Sequence, residues 1–297
     1  MIFSERQFEL VDRESNSSLT ISDLGARIVS LTLDGKDVIR DVAKDQVIAR
    51  FSGVLLAPWP NRLKNGIWNY EGIVYRFSVN EPPGNALHGL VFDKKFTVEQ
   101  ISGSEFRCSY ILRDSIYPFE LEIFISYRLG SRGLESEMGA KNLSQKPAPF
   151  GMATHPYFLV NPQTKLQLAA RSAATIDAKQ IPTGYESVDH LNLASGRLVS
   201  ELQFDTGFTD LDFQDGEATT RLVEPDGSYL EIWQHSPLRH VMIYTTSQHP
   251  FELGMGPAIA IEPQSCPADA LNSGKDLTII PPGETVKYQW GVTRVSA

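Results

Sequence analysis

Apolar and polar residues alternate along much of this 297-residue chain, and the dominant period is two. In the stretch ELEIFISYRL, Leu121, Ile123, Ile125, Tyr127 and Leu129 interleave with Glu120, Glu122, Ser126 and Arg128, so a strand here turns one apolar face to a core. Only Phe124 breaks the pattern. A Pro-Asp-Gly turn at Pro225 to Gly227 separates two such runs in TRLVEPDGSYLEIWQH and predicts a hairpin. The stretch DLTIIPPGETVKYQWGV reads the same way, with Pro282-Gly283 as a type II turn inside a second hairpin. No segment keeps convincing helical spacing over three turns, and Pro and Gly recur every few residues. Many short strands with frequent turn signals predict an all-β, antiparallel sandwich or barrel. With no Gly/Ser linker, composition shift or internal repeat, residues 1–297 are expected to form a single domain.

Charge narrows the possible partners. A net charge of -9 argues against nucleic acid, which needs clustered Lys and Arg, and suits a small neutral or polar ligand better. The opening MIFSERQFEL has no basic region followed by a long apolar stretch, and no later window reaches the uncharged length of a bilayer span. The expectation is a soluble, cytoplasmic protein without membrane contact, in which Cys108 and Cys266 stay free thiols.

Two stretches draw attention for their chemistry. ATHPYFLV and AIAIEPQSCPADALNS each set a proton-handling side chain, His155 or Glu262, directly before a proline at the end of an apolar run. Pro156 restricts the backbone of His155, and a buried Glu262 would require a partner. Near neutral pH a carboxylate and an imidazole can form an acid–base pair. From spacing alone, a packed histidine and a glutamate that merely ends a strand are the simpler reading. In LLAPWPNRLKNGIW, Pro58 and Pro60 bracket Trp59 and present Asn61 and Arg62 from a stiff segment, as a binding rim or as a turn with a packed tryptophan. His88 precedes Gly89, whose bare backbone would let the histidine lie close to a ligand, and a hydrogen-bonded structural histidine of the loop is the other reading. The six histidines show no metal-binding spacing, and neither a phosphate loop nor a serine nucleophile elbow is present. No metal is expected.

Taken together, PWPNRL (Pro58 to Leu63), NALHG (Asn85 to Gly89), HPYF (His155 to Phe158), IPTG (Ile181 to Gly184), FDTGF (Phe204 to Phe208), IEPQSCPADALN (Ile261 to Asn272) and PPGE (Pro281 to Glu284) resemble, in order, the motifs of the aldose 1-epimerase (galactose mutarotase) family. The resemblance implies a large antiparallel β-supersandwich with few short helices and an open sugar cleft. It also implies interconversion of the α and β anomers of a free aldose, with no cofactor. By motif, Glu262 corresponds to the general base, His155 to the general acid, and Arg62, His88 and Asp205 to substrate-binding residues, with Asp210 close to Asp205 as the alternative. Acid and base would then flank a hexose at opposite edges. Leu90 stands where many galactose mutarotases carry a second glycine, which predicts a differently shaped cleft. A non-catalytic sugar-binding protein and a sugar-phosphate epimerase are the rival readings on this scaffold.

Overall fold

The computed structural model describes residues 4–82 and 84–297. Residues 1–3, which begin the opening stretch, and Pro83, within the Pro82-Pro83-Gly84 loop, lie outside the described residues. Antiparallel strands dominate, and the helical elements are single turns such as Ala270–Ser273. Among the described residues no helix is long and apolar enough to cross a membrane.

The architecture is a β-sandwich. One sheet has nine strands, ordered Thr97–Ser102, Glu105–Leu112, Leu121–Gly130, Gly133–Asn142, Thr285–Val295, Tyr229–His235, Glu217–Val223, Lys165–Leu168 and Arg197–Leu198. The other runs Pro182–Ser187, Ala170–Ile176, Asp205–Leu211, His240–Phe251, Gly254–Gln264, Ala153–Thr154 and Leu55–Leu56, with Tyr157–Leu159 also paired to Gly254–Gln264. Apolar side chains from both sheets meet in one cluster: Leu121, Ile123, Ile125, Ile232, Trp290 and Val292 from the first, Phe208, Val241, Ile243, Ile259 and Ile261 from the second. A four-stranded sheet, Gln7–Asp12 to Lys36–Ile39, contributes Leu10, Leu19, Ile21 and Leu31 to that cluster.

The period-two expectation holds for Leu121–Gly130, whose five alternating apolar residues are all buried. Phe124, which breaks the pattern, is also buried, on the other face, where the Arg107 guanidinium lies 4.3 Å from its ring centroid. The turn at Pro225 to Gly227 joins two paired strands as expected. The second hairpin does not exist. Glu284 donates its N–H to the Pro281 carbonyl at 3.1 Å, and Gly283 takes φ +78°, so the turn itself is present. Yet Thr278–Ile280 pairs with Ala148–Phe150, while Thr285–Val295 pairs with Gly133–Asn142 and Tyr229–His235. Each strand finds its hydrogen-bond partners elsewhere, which local turn chemistry does not reveal. Cys108 and Cys266 are buried free thiols.

Alternation in the second sheet also builds its outer face. In AIAIEPQ, Ile259 and Ile261 enter the core, while Ala258, Ala260, Glu262 and Gln264 share the opposite face. Met242 is the register partner of Glu262, and Asp205 that of Tyr244, so these side chains cluster on the same side. His155 joins this group from the link between Ala153–Thr154 and Tyr157–Leu159.

Gly53 fixes that link. Its N–H donates to the His155 carbonyl at 2.9 Å, and its own carbonyl accepts from the Ile28 N–H at 3.1 Å. It sits at φ +73°, and a Cβ there would collide with the Ile28 carbonyl oxygen. Gly53→Ala is therefore expected to lose at least ~1–2 kcal/mol of stability from the left-handed backbone alone. Chemical denaturation checks this, and an unchanged midpoint would remove Gly53 from this role.

Candidate active site

On the outer face of the second sheet lies an open cleft of about 260 Å³, lined by Glu262, His155, His88, Arg62, Asp205 and Tyr157 among others. All five residues singled out in the sequence line this one cleft. Asp210, the alternative to Asp205, is exposed and does not line it.

Glu262 and His155 do not stand at opposite edges of the cleft as expected but touch, because Gly254–Gln264 and the link carrying His155 bring both side chains to one point: Nε2 of His155 lies 3.2 Å from Oε1 of Glu262, and both side chains are almost fully buried. The spacing is that of an ion pair, but burial disfavours both charged forms. Burial pushes the Glu262 carboxyl up to about 8, against the opposing effect of the Gln264 amide, which donates to Oε2 at 3.0 Å. Burial likewise pulls His155 down to about 3. Near neutral pH the pair therefore holds one titratable proton and no net charge, as a carboxylic acid against a neutral imidazole.

The imidazole is held by rings. Tyr157 packs against His155 with centroids 4.9 Å apart, and His88 meets it edge-on at 5.3 Å. His88 has φ +67°, and its Nδ1 accepts the Asn61 N–H at 3.2 Å. That bond fixes the tautomer, because the other nitrogen, Nε2, must then carry the hydrogen of the neutral ring. Neutrality is enforced by burial, aided by the positive potential of Arg62, which together hold His88 well below its ordinary pKa. Gly89 serves a purpose other than ligand approach: at φ +76°, a Cβ would strike the Ala57 carbonyl oxygen, so the glycine lets two backbone segments meet.

Arg62 is clamped between two carboxylates. Its Nε donates to Glu81 at 2.9 Å, and its Nη2 lies 2.8 Å from Glu81 and 3.0 Å from Asp205. Burial works against its charge, but Asp205 and Glu81 outweigh burial and raise its pKa. Its backbone is pinned by the PADALN stretch: Asp269 donates its N–H to the Arg62 carbonyl at 2.6 Å and accepts the Lys64 N–H at 3.0 Å. Trp59 beside it is a core residue packed on Phe77, so the stiff segment combines both readings of its sequence, packed ring and cleft-facing arginine. Leu90 packs against the core and does not line the cleft, so it gives no sign of the reshaping expected from its sequence position.

Three participants in this arrangement were not picked out by their sequence signal. Gln264 and Tyr157 stand two positions beyond Glu262 and His155, and the strand period could have placed them on the same face. Glu81 sits in an irregular loop beside Pro82, and its role emerges only from its contact with Arg62.

The family model for aldose 1-epimerase matches residues 7–293. YihR, an uncharacterized protein of Escherichia coli K12, is 27% identical over 274 residues, which span 89% of this chain and 86% of YihR. Galactose mutarotase of Sus scrofa is 26% identical over 145 residues, 45% of this chain and 42% of that protein. Among solved structures, a GalM/aldose epimerase homologue from C. elegans superposes with a TM-score of 0.85 at 19% identity, covering 99% of this chain and 100% of the other. A galactose mutarotase-like protein from Clostridium acetobutylicum does so with 0.83 at 17% identity, over 99% of each chain. These two likenesses share the fold described above, and with its model matched over nearly the whole length the chain belongs to the aldose 1-epimerase family.

Proposed function

We propose that this protein interconverts the α and β anomers of a free aldose by acid–base opening and reclosure of the ring. The observation that carries the reading is the 3.2 Å contact between Glu262 and His155 under an open cleft. The anomeric hydroxyl oxygen and the ring oxygen are bonded to the same carbon, so a base for one and an acid for the other must themselves be neighbours. The proton held by the pair passes to His155 as the sugar binds. Glu262 then takes the anomeric hydroxyl proton while His155 delivers its proton to the ring oxygen, and the C1–ring oxygen bond breaks as the carbonyl forms. Rotation about C1–C2 presents the other carbonyl face, and closure returns both protons to their sources. His88 Nε2–H and the Arg62–Asp205–Glu81 group supply donors and acceptors for the remaining hydroxyls. No cofactor enters the sequence of steps.

Replacing either member of the pair should remove its contribution, about 10²- to 10⁴-fold in rate. Glu262→Gln and His155→Asn are each expected to fold and to lose this acceleration, followed by polarimetry on freshly dissolved α-glucose and α-galactose. A wild-type rate in Glu262→Gln would put the base elsewhere, and sugar binding without any exchange in the native protein would favour the non-catalytic reading.

The pair also sets the pH response. Its single proton is retained until pH rises through the raised Glu262 value of about 8, and a second is gained only near the depressed His155 value of about 3. The expected profile of kcat/KM is flat from about pH 5 to 7 and falls about tenfold per unit above about 8. A rise in rate through pH 8 would contradict the one-proton assignment.

A further inference from the structure

Arg50 is a charged residue of the cleft that the reaction above does not use. It lines the same cavity as Glu262 and His155, yet its side chain makes no ion pair, hydrogen bond or ring contact among the described residues. No other half-buried Lys or Arg of the described residues is left so; even Arg107 lies over a ring and Lys179 reaches Asn65. The contrast with Arg62, which holds two carboxylates in the same cleft, is direct. A guanidinium withdrawn partly from water gains from an acceptor, and the described residues supply none to its side chain.

Its position is set in advance. The Arg50 N–H donates to the Gln46 carbonyl at 2.9 Å, and the segment is anchored by Val42, Val47 and Ile48 packed against Leu24. The charge of Arg50 acts on the Tyr157 hydroxyl and on His249, on the side where Tyr157 covers His155. Phe51, next in the chain, meets His88 edge-on at 4.6 Å and stacks over His155 at 6.4 Å, so the segment carrying Arg50 forms the wall beside these two imidazoles. The cleft thus has an unbalanced cation on the wall beside His155, together with two carboxylates that share the single arginine Arg62.

Resting on the reading of His155 as the group facing the ring oxygen, we propose that the substrate is an aldose with an anionic group on C6, bound by Arg50. The ring oxygen is bonded to C5, so the C6 substituent leaves the ring beside it, toward the His155 end. The hydroxyls of C2 to C4 then fall toward Asp205, Glu81 and Arg62, where a second anion would be repelled. One guanidinium fork matches the two oxygens of a carboxylate, which makes a hexuronic acid the best fit, with a C6 ester of phosphate or sulfate as the other sources of the same chemistry.

The test compares glucose, xylose, glucuronate, glucose 6-sulfate and glucose 6-phosphate as substrates, by exchange NMR at anomeric equilibrium, and as ligands, by calorimetry. The native protein should favour glucuronate over glucose by about 10- to 100-fold in kcat/KM and in affinity, with the preference shrinking in high salt. Arg50→Gln should lose most of that preference, with a much smaller effect on glucose and xylose, and Arg50→Lys should restore part of it. A larger preference for either ester, erased by the same substitution, supports the anionic site and changes only its occupant. Equal handling of neutral and anionic sugars by the native protein, or equal losses on both in Arg50→Gln, overturns the proposal. The calorimetric arm separates the two readings. If no sugar is exchanged but glucuronate still binds tighter than glucose through Arg50, the epimerase reading fails while Arg50 as the site for the C6 anion of a bound sugar stands.

Discussion

A carboxyl group and an imidazole, almost wholly withdrawn from water and in contact, set the terms for everything around them. Neither is stable there as an isolated ion, and each is left with the other as its partner. The surroundings serve to keep that contact in place. Gln264 holds the second carboxyl oxygen, Tyr157 and His88 bracket the ring, and Gly53 ties down the backbone that carries it. A pair that shares one proton is also indifferent, in proton count, to which partner holds it, which is what a reversible ring opening and closure requires.

The second constraint is separation of charge. Arg62 could have neutralised Glu262, but two carboxylates engage it first, and the acid at the centre of the cleft keeps its proton. The Arg62 clamp draws on four separate stretches: Asn61 and Arg62 themselves, Glu81, Asp205, and Asp269 through its backbone N–H. That dispersal explains why the family's motifs are short and widely spaced. Each supplies one or two contacts to a common point, and the strand register brings them together.

Much of this was legible in the sequence, for identifiable reasons. Strict alternation placed Leu121 to Leu129 on a buried face, and the same period in AIAIEPQ sends Glu262 outward while its neighbours pack. The Pro225 to Gly227 hairpin was readable because its two strands pair with each other. The turn at Pro282-Gly283 was readable but its partners were not, since Thr278–Ile280 and Thr285–Val295 bond to strands distant in the chain rather than to each other. The same limit hid Glu81 and Arg50: each lies in an irregular segment, and its meaning comes from what stands opposite in space. His155 and Glu262 were identifiable as residue types at strand ends, but the proton they share follows only from their distance and burial.

The side chains of this cleft are mounted in two different ways. Glu262, Met242 and Asp205 ride on strands whose alternate residues fill the sandwich, so shifting any of them disturbs the core. Ala49, Arg50 and Phe51 come from a looped wall whose packing involves a small separate cluster around Leu24, Val42 and Val47. Mutation can therefore rewrite that wall cheaply while the floor stays fixed, and selectivity can drift among descendants of one scaffold without the chemistry having to be reinvented.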